Sequence, residues 1–243
     1  MRCLKKKILL IIPAYNEEEN IIKTCKSIDE YNKKNELKLD YVVINDGSKD
    51  STPKILDENR INHIDLIHNL GIGGAVQTGY KYALDNDYDI AIQYDGDGQH
   101  DVSYVEKLIE PIINKNVNMT IGSRFIDKTS SQFKSSAARR IGINLISFVI
   151  KLKTGVKIYD TTSGFRAVDK KIIKIFAESY PTEYPEPIST VKILNNNFSV
   201  EEIPVGMKER EGGKSSINSW KTVYYMINVI LSILISKKGG RKI

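Results

Sequence analysis

The stretch YDGDGQHD, Tyr94 to Asp101, places Asp95, Asp97 and Gln99 at alternate positions with Gly96 and Gly98 between them, directly after the apolar run DIAIQ. On an extended backbone alternate residues project to one side, so these three side chains aim oxygens at one point. The glycines leave room for a bulky ligand to approach the main chain. Oxygen donors suit hard cations, and Mg²⁺ held by one or two carboxylates keeps positions open for substrate phosphates. Handling a nucleotide diphosphate is the chemistry this pattern fits best.

Rival readings of these and similar residues fit less well. Counted from Asp95, a calcium loop would find Glu106 at its twelfth position, but His100 stands where the sharp turn needs glycine. A turn whose acids only cap the next helix would need Asp101 alone. GIGGAV, Gly71 to Val76, follows a strand and opens a helix as a dinucleotide fingerprint would, yet Val76 replaces its third small residue and the unit is third in the chain. EGGKSS ends like a phosphate loop, but Lys208 occupies the position of the loop's first glycine.

Such a turn needs a scaffold, and the first half of the chain supplies one. Short β-rich runs at Ile8 to Ile12, Tyr41 to Ile44, Ile64 to His68, Ile90 to Tyr94 and Met119 to Gly122 alternate with amphipathic segments near 18–31, 52–60, 73–86 and 102–116. That order predicts an α/β fold around a largely parallel sheet, in which ligands bind beyond the carboxyl ends of the strands. Asp95 and Asp97 sit at such an end. Ser51-Thr52-Pro53 reads as an N-cap followed by helix-opening residues. The second half predicts helices near 136–153 and 170–178, an extended piece around Ser163 to Val168, a further helix after YPTEYPEP and a strand at Ser199 to Val205.

The chain has 243 residues, 41% of them hydrophobic, with charges dispersed along its length, which excludes a disordered chain. The net charge of +6 is compatible with anionic partners. Cys3 and Cys25 are too few for a disulfide framework, and Cys25 shares an apolar helical stripe with Ile21, Ile22 and Ile28, which suggests an inert thiol in a reducing compartment. Lysines before the Ile8 to Ile12 run resemble an export signal, but the run is short and leads into an acidic helix start.

The last helix, about Ile217 to Ser236, carries a wide apolar face of Trp220, Val223, Tyr224, Ile227, Ile230, Leu231 and Leu234, and KKGGRK follows it. Its continuous apolar part is too short to span a bilayer. A core or oligomer helix is one reading. The other is an interfacial helix whose lysines face lipid headgroups, or a dock for a small membrane protein.

With IIPAYNEEENI, VVINDGSKDST, NLGIGGAVQTGY, YDGDGQHD, GSRF, DTTSGFRAV and REGGKSS in order over roughly residues 7–216, the chain resembles the family 2 inverting glycosyltransferases of GT-A fold. It looks most like their dolichyl-phosphate mannose synthase and bacterial polyprenyl-phosphate branch. The resemblance implies a GT-A domain over 1–216 and a membrane-interface or docking segment over 217–243. It implies that Pro13, Tyr15, Glu17, Ile44 and Asp46 hold the nucleoside, and that Asp95, Gly96, Asp97 and Gln99 carry Mg²⁺ or Mn²⁺ and the diphosphate. Arg124, Arg210 and Lys214 would neutralise phosphates of donor and acceptor. Ser163 and Arg166 would lie close to an acceptor phosphate. Asn45 departs from the family's usual first aspartate in the motif DDGS, and the transmembrane helix pair of many bacterial relatives is missing from the pattern.

These roles imply transfer of a sugar from a nucleotide diphosphate sugar, UDP-linked by analogy with bacterial relatives, for cell-envelope glycan synthesis. The cation and Arg124 would stabilise charge on the departing diphosphate. A lipid phosphate is already an anionic nucleophile at neutral pH, whereas a sugar hydroxyl needs a general base. A polyprenyl phosphate acceptor is thus the favoured expectation. Direct transfer to a polysaccharide hydroxyl, with Asp160, Glu183 or Glu186 as base, is the alternative; a nucleotide-sugar-binding subunit without catalysis is a third. The expected place of action is the cytoplasm, peripherally on the inner face of the cell membrane, without nucleic acid as a partner.

Overall fold

A computed structural model describes residues 6–126, 137–206 and 219–236. Seven strands form one sheet: β1 (Ile8–Ala14), β2 (Asp40–Asn45), β3 (His63–Asp65), β4 (Ile90–Gln93), β5 (Met119–Ser123), β6 (Arg166–Asp169) and β7 (Val200–Pro204). The helices are α1 (Ile21–Lys34), α2 (Thr52–Glu58), α3 (Gly71–Asp85), α4 (Val105–Asn114), α5 (Ala137–Thr154), α6 (Lys170–Glu178), α7 (Pro185–Asn195) and α8 (Ser219–Ile235). Every residue of β1 is buried, as a central strand covered on both faces requires.

The strand order is β3-β2-β1-β4-β6-β5-β7. From β1 the chain winds outward through β2 and β3, then returns to lay β4 on the other side of β1, both neighbours running parallel to it. The reversal opens a crevice at the carboxyl ends of β1 and β4, the place where parallel sheets bind ligands. β6 is the exception to the parallel expectation. It runs antiparallel to β4 and β5, with Arg166 opposite Gln93 and Ile121. Its first residues therefore enter the sheet at the rim where β4 and β5 end, which brings the DTTSGFR segment over the crevice.

Alternate residues of β1 serve two cores. Leu9 and Ile11 join Tyr80, Phe176, Ile146 and Val229 on one face, while Ile8, Leu10 and Ile12 meet Ile21, Ile28 and Leu108 on the other. Cys25 is buried in the second core, where burial first and Asp29 second push its thiol up to about 12, so it stays protonated. The glycines of GIGGAVQTGY serve close packing: a Cβ on Gly79 would stand 2.1 Å from Cγ2 of Ile11, and one on Gly73 would stand 2.2 Å from the carbonyl oxygen of Pro181. α2 opens where expected, but Asp50 rather than Ser51 accepts the Thr52 N–H, at 2.9 Å.

α8 packs on α5 and α7. Its buried edge is Val229 and Ile233, whereas Ile227, Leu231 and Leu234, counted at sequence level in one apolar face, point outward. Among the described residues no helix is long and apolar enough to cross a membrane.

Candidate active site

The crevice is lined from both sides of the sheet reversal. Beyond β1, the loop carrying Tyr15 and Glu17 is tied to the loop after β2: the Asn16 N–H donates to Ser48, Glu17 N–H to Thr52, and Glu18 accepts the Ser51 N–H. Pro13 and Ile44 pair across β1 and β2 and are buried, while Tyr15 is half-exposed. Asp46 is buried beneath the rim, and its Oδ1 accepts the Leu70 N–H at 2.7 Å. Asn45 explains its own departure from the expected aspartate. Its Nδ2 donates to Asp65 on β3 at 2.6 Å, where a second carboxylate would repel the first.

The acidic turn sits on the other side. The chain does not stay extended through Gln99: residues 96–98 turn, Gly98 takes φ +75°, and Asp97 Oδ1 accepts the Gln99 N–H at 3.1 Å. The alternating projection expected for Asp95, Asp97 and Gln99 is therefore replaced by an Asx-type turn. Gly96 packs its backbone under β1, where a Cβ would come 3.1 Å from the Pro13 carbonyl oxygen, and its own carbonyl accepts the Thr24 hydroxyl.

Asp95 is the focus. Its Oδ2 lies 3.0 Å from Nε2 of His100, whose side chain is fully buried and stacked on Phe165. Burial works against its ionisation, but His100, a hydrogen bond from Gln93 and the charge of Arg124 outweigh it and hold the carboxyl below its ordinary value. Gly164, just ahead of β6, lies over this carboxylate: a Cβ there would stand 2.8 Å from Oδ2 and 2.9 Å from Oδ1. Asp95 thus presents an ionised, one-third exposed carboxylate to the crevice. Asp97 stands two residues on in the same turn, and carboxylate oxygens are the donors that could hold a hard divalent cation with positions left open for phosphate. Among the described residues no third carboxylate, histidine or cysteine completes a closed cage.

Arg124 leaves β5 beside this turn. Its Nε and Nη2 meet Oδ2 and Oδ1 of Asp160 at 2.7 Å each, and its N–H also donates to Oδ2. Asp160 is fully buried, with both oxygens engaged. To serve as the general base expected of it, Asp160 would have to leave this pair, since a base must reach the acceptor proton. Arg166 is engaged as well. It is 1% exposed, and it donates to the carbonyl oxygens of Ser163 and Glu186 at 2.6 Å each and to the hydroxyls of Ser189 and Thr190, fastening the first turn of α7 to β6. Ser163 is buried alongside it, and its hydroxyl and Nη2 of Arg166 have no hydrogen-bond partner among the described residues. Glu183 is exposed. Glu186 is part-buried, and burial raises its carboxyl despite Arg166. Arg210 and Lys214 lie outside the described residues.

Three contributors escaped the sequence reading: His100 behind Asp95, Gly164 above it, and Arg140 on α5. The guanidinium of Arg140 lies 3.9 Å from the centroid of the Phe125 ring, and that of Arg124 lies 5.3 Å from it. His100 and Gly164 fall inside motifs already singled out, but only tertiary packing gives them partners.

The family model described as Glycosyl transferase family 2 matches residues 9–176. A UDP-N-acetylglucosamine–dolichyl-phosphate N-acetylglucosaminyltransferase of Methanococcus voltae is 33% identical over 220 residues, covering 82% of this chain and 85% of that one. A polyprenol monophosphomannose synthase of Mycolicibacterium smegmatis is 27% identical, covering 88% and 82%. Glucosyl-3-phosphoglycerate synthase of Mycobacterium tuberculosis, solved with Mn²⁺, UDP-glucose and phosphoglyceric acid, superposes with TM-score 0.68 at 16% identity over 96% of this chain and 82% of that one. That likeness concerns the fold.

Proposed function

The chain belongs to glycosyl transferase family 2, and from that premise we propose that it moves a sugar from a UDP-linked donor to a polyprenyl phosphate, in the service of cell-envelope glycan synthesis. Two relatives that cover more than four fifths of the chain are named for dolichyl-phosphate and for polyprenol monophosphomannose. The observation that carries the choice of acceptor is the Arg124–Asp160 pair. The carboxylate that a hydroxyl acceptor would have needed as base instead fixes a guanidinium, and a fixed cation suits an acceptor that arrives already anionic.

In this reading Pro13, Tyr15, Glu17, Ile44 and Asp46 hold the nucleoside between the ends of β1 and β2. Asp95 and Asp97, in the turn with Gly96 and Gln99, hold Mg²⁺ or Mn²⁺, which when bound supplies charge neutralisation for the diphosphate. His100 and Gln93 keep Asp95 ionised and aimed. Arg124, with Arg140 beside Phe125, neutralises phosphate on the acceptor side, and Arg210 and Lys214, outside the described residues, add cations. Preorganised charges of this kind act where negative charge develops and need no reorganisation during transfer.

The lipid acceptor calls for a membrane-facing surface. Alongside the outward residues of α8, α5 exposes Ile141, Leu145, Phe148 and Leu152 along one stripe, with Lys151 in its last turn and Lys157 packed on Tyr159 beyond it. Apolar stripes rimmed by lysines and an aromatic suit the headgroup boundary of an anionic bilayer. The protein would then act peripherally on the cytoplasmic face of the membrane.

Incubation with a panel of nucleotide sugars and a polyprenyl phosphate in detergent, with and without Mg²⁺ or Mn²⁺, tests this directly. A sugar-phosphate lipid in the organic fraction, abolished by chelator, is the expected result. Sugar found only on a soluble glycan would transfer the role of base to Glu186, whose raised carboxyl is the feature favouring that second reading.

A further inference from the structure

Glu202 lies on the edge strand β7, outside every motif used above. Its two carboxylate oxygens accept neighbouring main-chain N–H groups: Oε2 takes that of Tyr159 and Oε1 that of Asp160, each at 2.7 Å. One carboxylate therefore grips the backbone of Tyr159 and of Asp160, the partner of Arg124. The 157–160 segment is not part of the sheet, so this side chain replaces the ladder that would otherwise set its position.

The consequence follows from the geometry of the ion pair. A two-pronged guanidinium–carboxylate contact tolerates little displacement of either partner. Asp160 holds Arg124 through both oxygens, and Glu202 holds Asp160 through its main chain. We propose that Glu202 is a positioning residue for glycosyl transfer, setting the Asp160 carboxylate and through it the guanidinium of Arg124. The inference rests on the reading that Arg124 meets a substrate phosphate. It assigns Glu202 no contact with substrate and no proton transfer.

The test is a double-mutant cycle on the full chain with nucleotide sugar and polyprenyl phosphate, reading kcat and both KM values. Glu202→Gln keeps the shape but turns an amide N–H toward one of the two main-chain donors. It is expected to lower kcat about tenfold with the donor KM within about twofold, while circular dichroism stays unchanged. In an Arg124→Lys background the same change should cost less than about twofold more, because the effect travels through Arg124. Should Glu202→Gln fail to fold, Glu202→Asp, which keeps the charge but reaches one N–H group, takes its place in the cycle. Full additivity of the two changes, or a Glu202 variant with wild-type kcat, overturns the inference and leaves the reading of the site intact. An Arg124→Lys variant with unchanged kcat and KM values overturns the reading of Arg124 and the inference with it.

Discussion

Asp160 and Arg124 form a two-pronged ion pair at the carboxyl rim of the sheet, 2.7 Å at each prong, with Asp160 fully buried and Arg124 5% exposed. Removing one partner of such a pair leaves a charge without compensation, at a cost of about 3 kcal/mol or more. Asp160→Asn should therefore lower unfolding stability by about that amount, measured in urea, and reduce transfer more than loss of a base alone would explain. A variant as stable as the wild type would show that the pair is not held as described.

Gly164 offers a test of Asp95 that leaves every charge in place. Gly164→Ala would set a methyl group against both oxygens of the Asp95 carboxylate and against Nε2 of Gln93. We expect turnover to fall about tenfold or more, a weaker apparent affinity for Mn²⁺, and little change in the far-ultraviolet spectrum. Unchanged Mn²⁺ affinity would remove Asp95 from the metal site.

The acidity of Glu202 gives a pH dependence with a definite sign. Burial raises its carboxyl above the ordinary value and the charge of Asp160 adds to this, while the N–H bonds from Tyr159 and Asp160 pull the other way without prevailing. The folded protein thus holds this proton more tightly than the unfolded chain. Its contribution is fully present below about pH 4.3 and is lost as pH rises through the raised value. Stability measured across that window should decline more steeply in the wild type than in Glu202→Gln. A steeper decline in the variant would contradict it.

The membrane-facing stripes predict binding to vesicles containing anionic lipid, weakened by salt. Phe148→Glu on α5 and Leu231→Glu on α8 alter side chains that are 58% and 52% exposed, so the fold should tolerate both. Each should cut sedimentation with vesicles about tenfold while leaving turnover on a short-chain acceptor in detergent unchanged. Vesicle binding equal to that of the wild type would detach this face from the bilayer.

Much of the fold was legible because parallel strands covered on both faces are written as apolar runs, as ILLIIPA of β1, VVI of β2 and IAI of β4 are. The direction of β6 was not. Apolar periodicity carries no sign of parallel or antiparallel pairing, and only the rim at which Arg166 enters decides it. The acidic turn was found by residue type, yet its shape depended on Gly98 adopting positive φ. The partners of Asp160 and Arg166 were not legible for a common reason: whether a charged side chain meets solvent depends on distant residues, here Arg124 for the one and the first turn of α7 for the other. Asn45, which departs from the family pattern, acquires its sense only from Asp65 one strand away.

The antiparallel course of β6 carries a last consequence. The chain departs the sheet at Ser123 and comes back at Arg166 through the same edge of the cleft. α5 therefore lies on a detour between β5 and β6 that adds nothing to the pairing of β1, β2 and β3. A lengthened, shortened or transplanted detour would leave the β1–β4 register as it stands, so the rim that β6 enters can diversify independently of the crevice at the ends of β1 and β4.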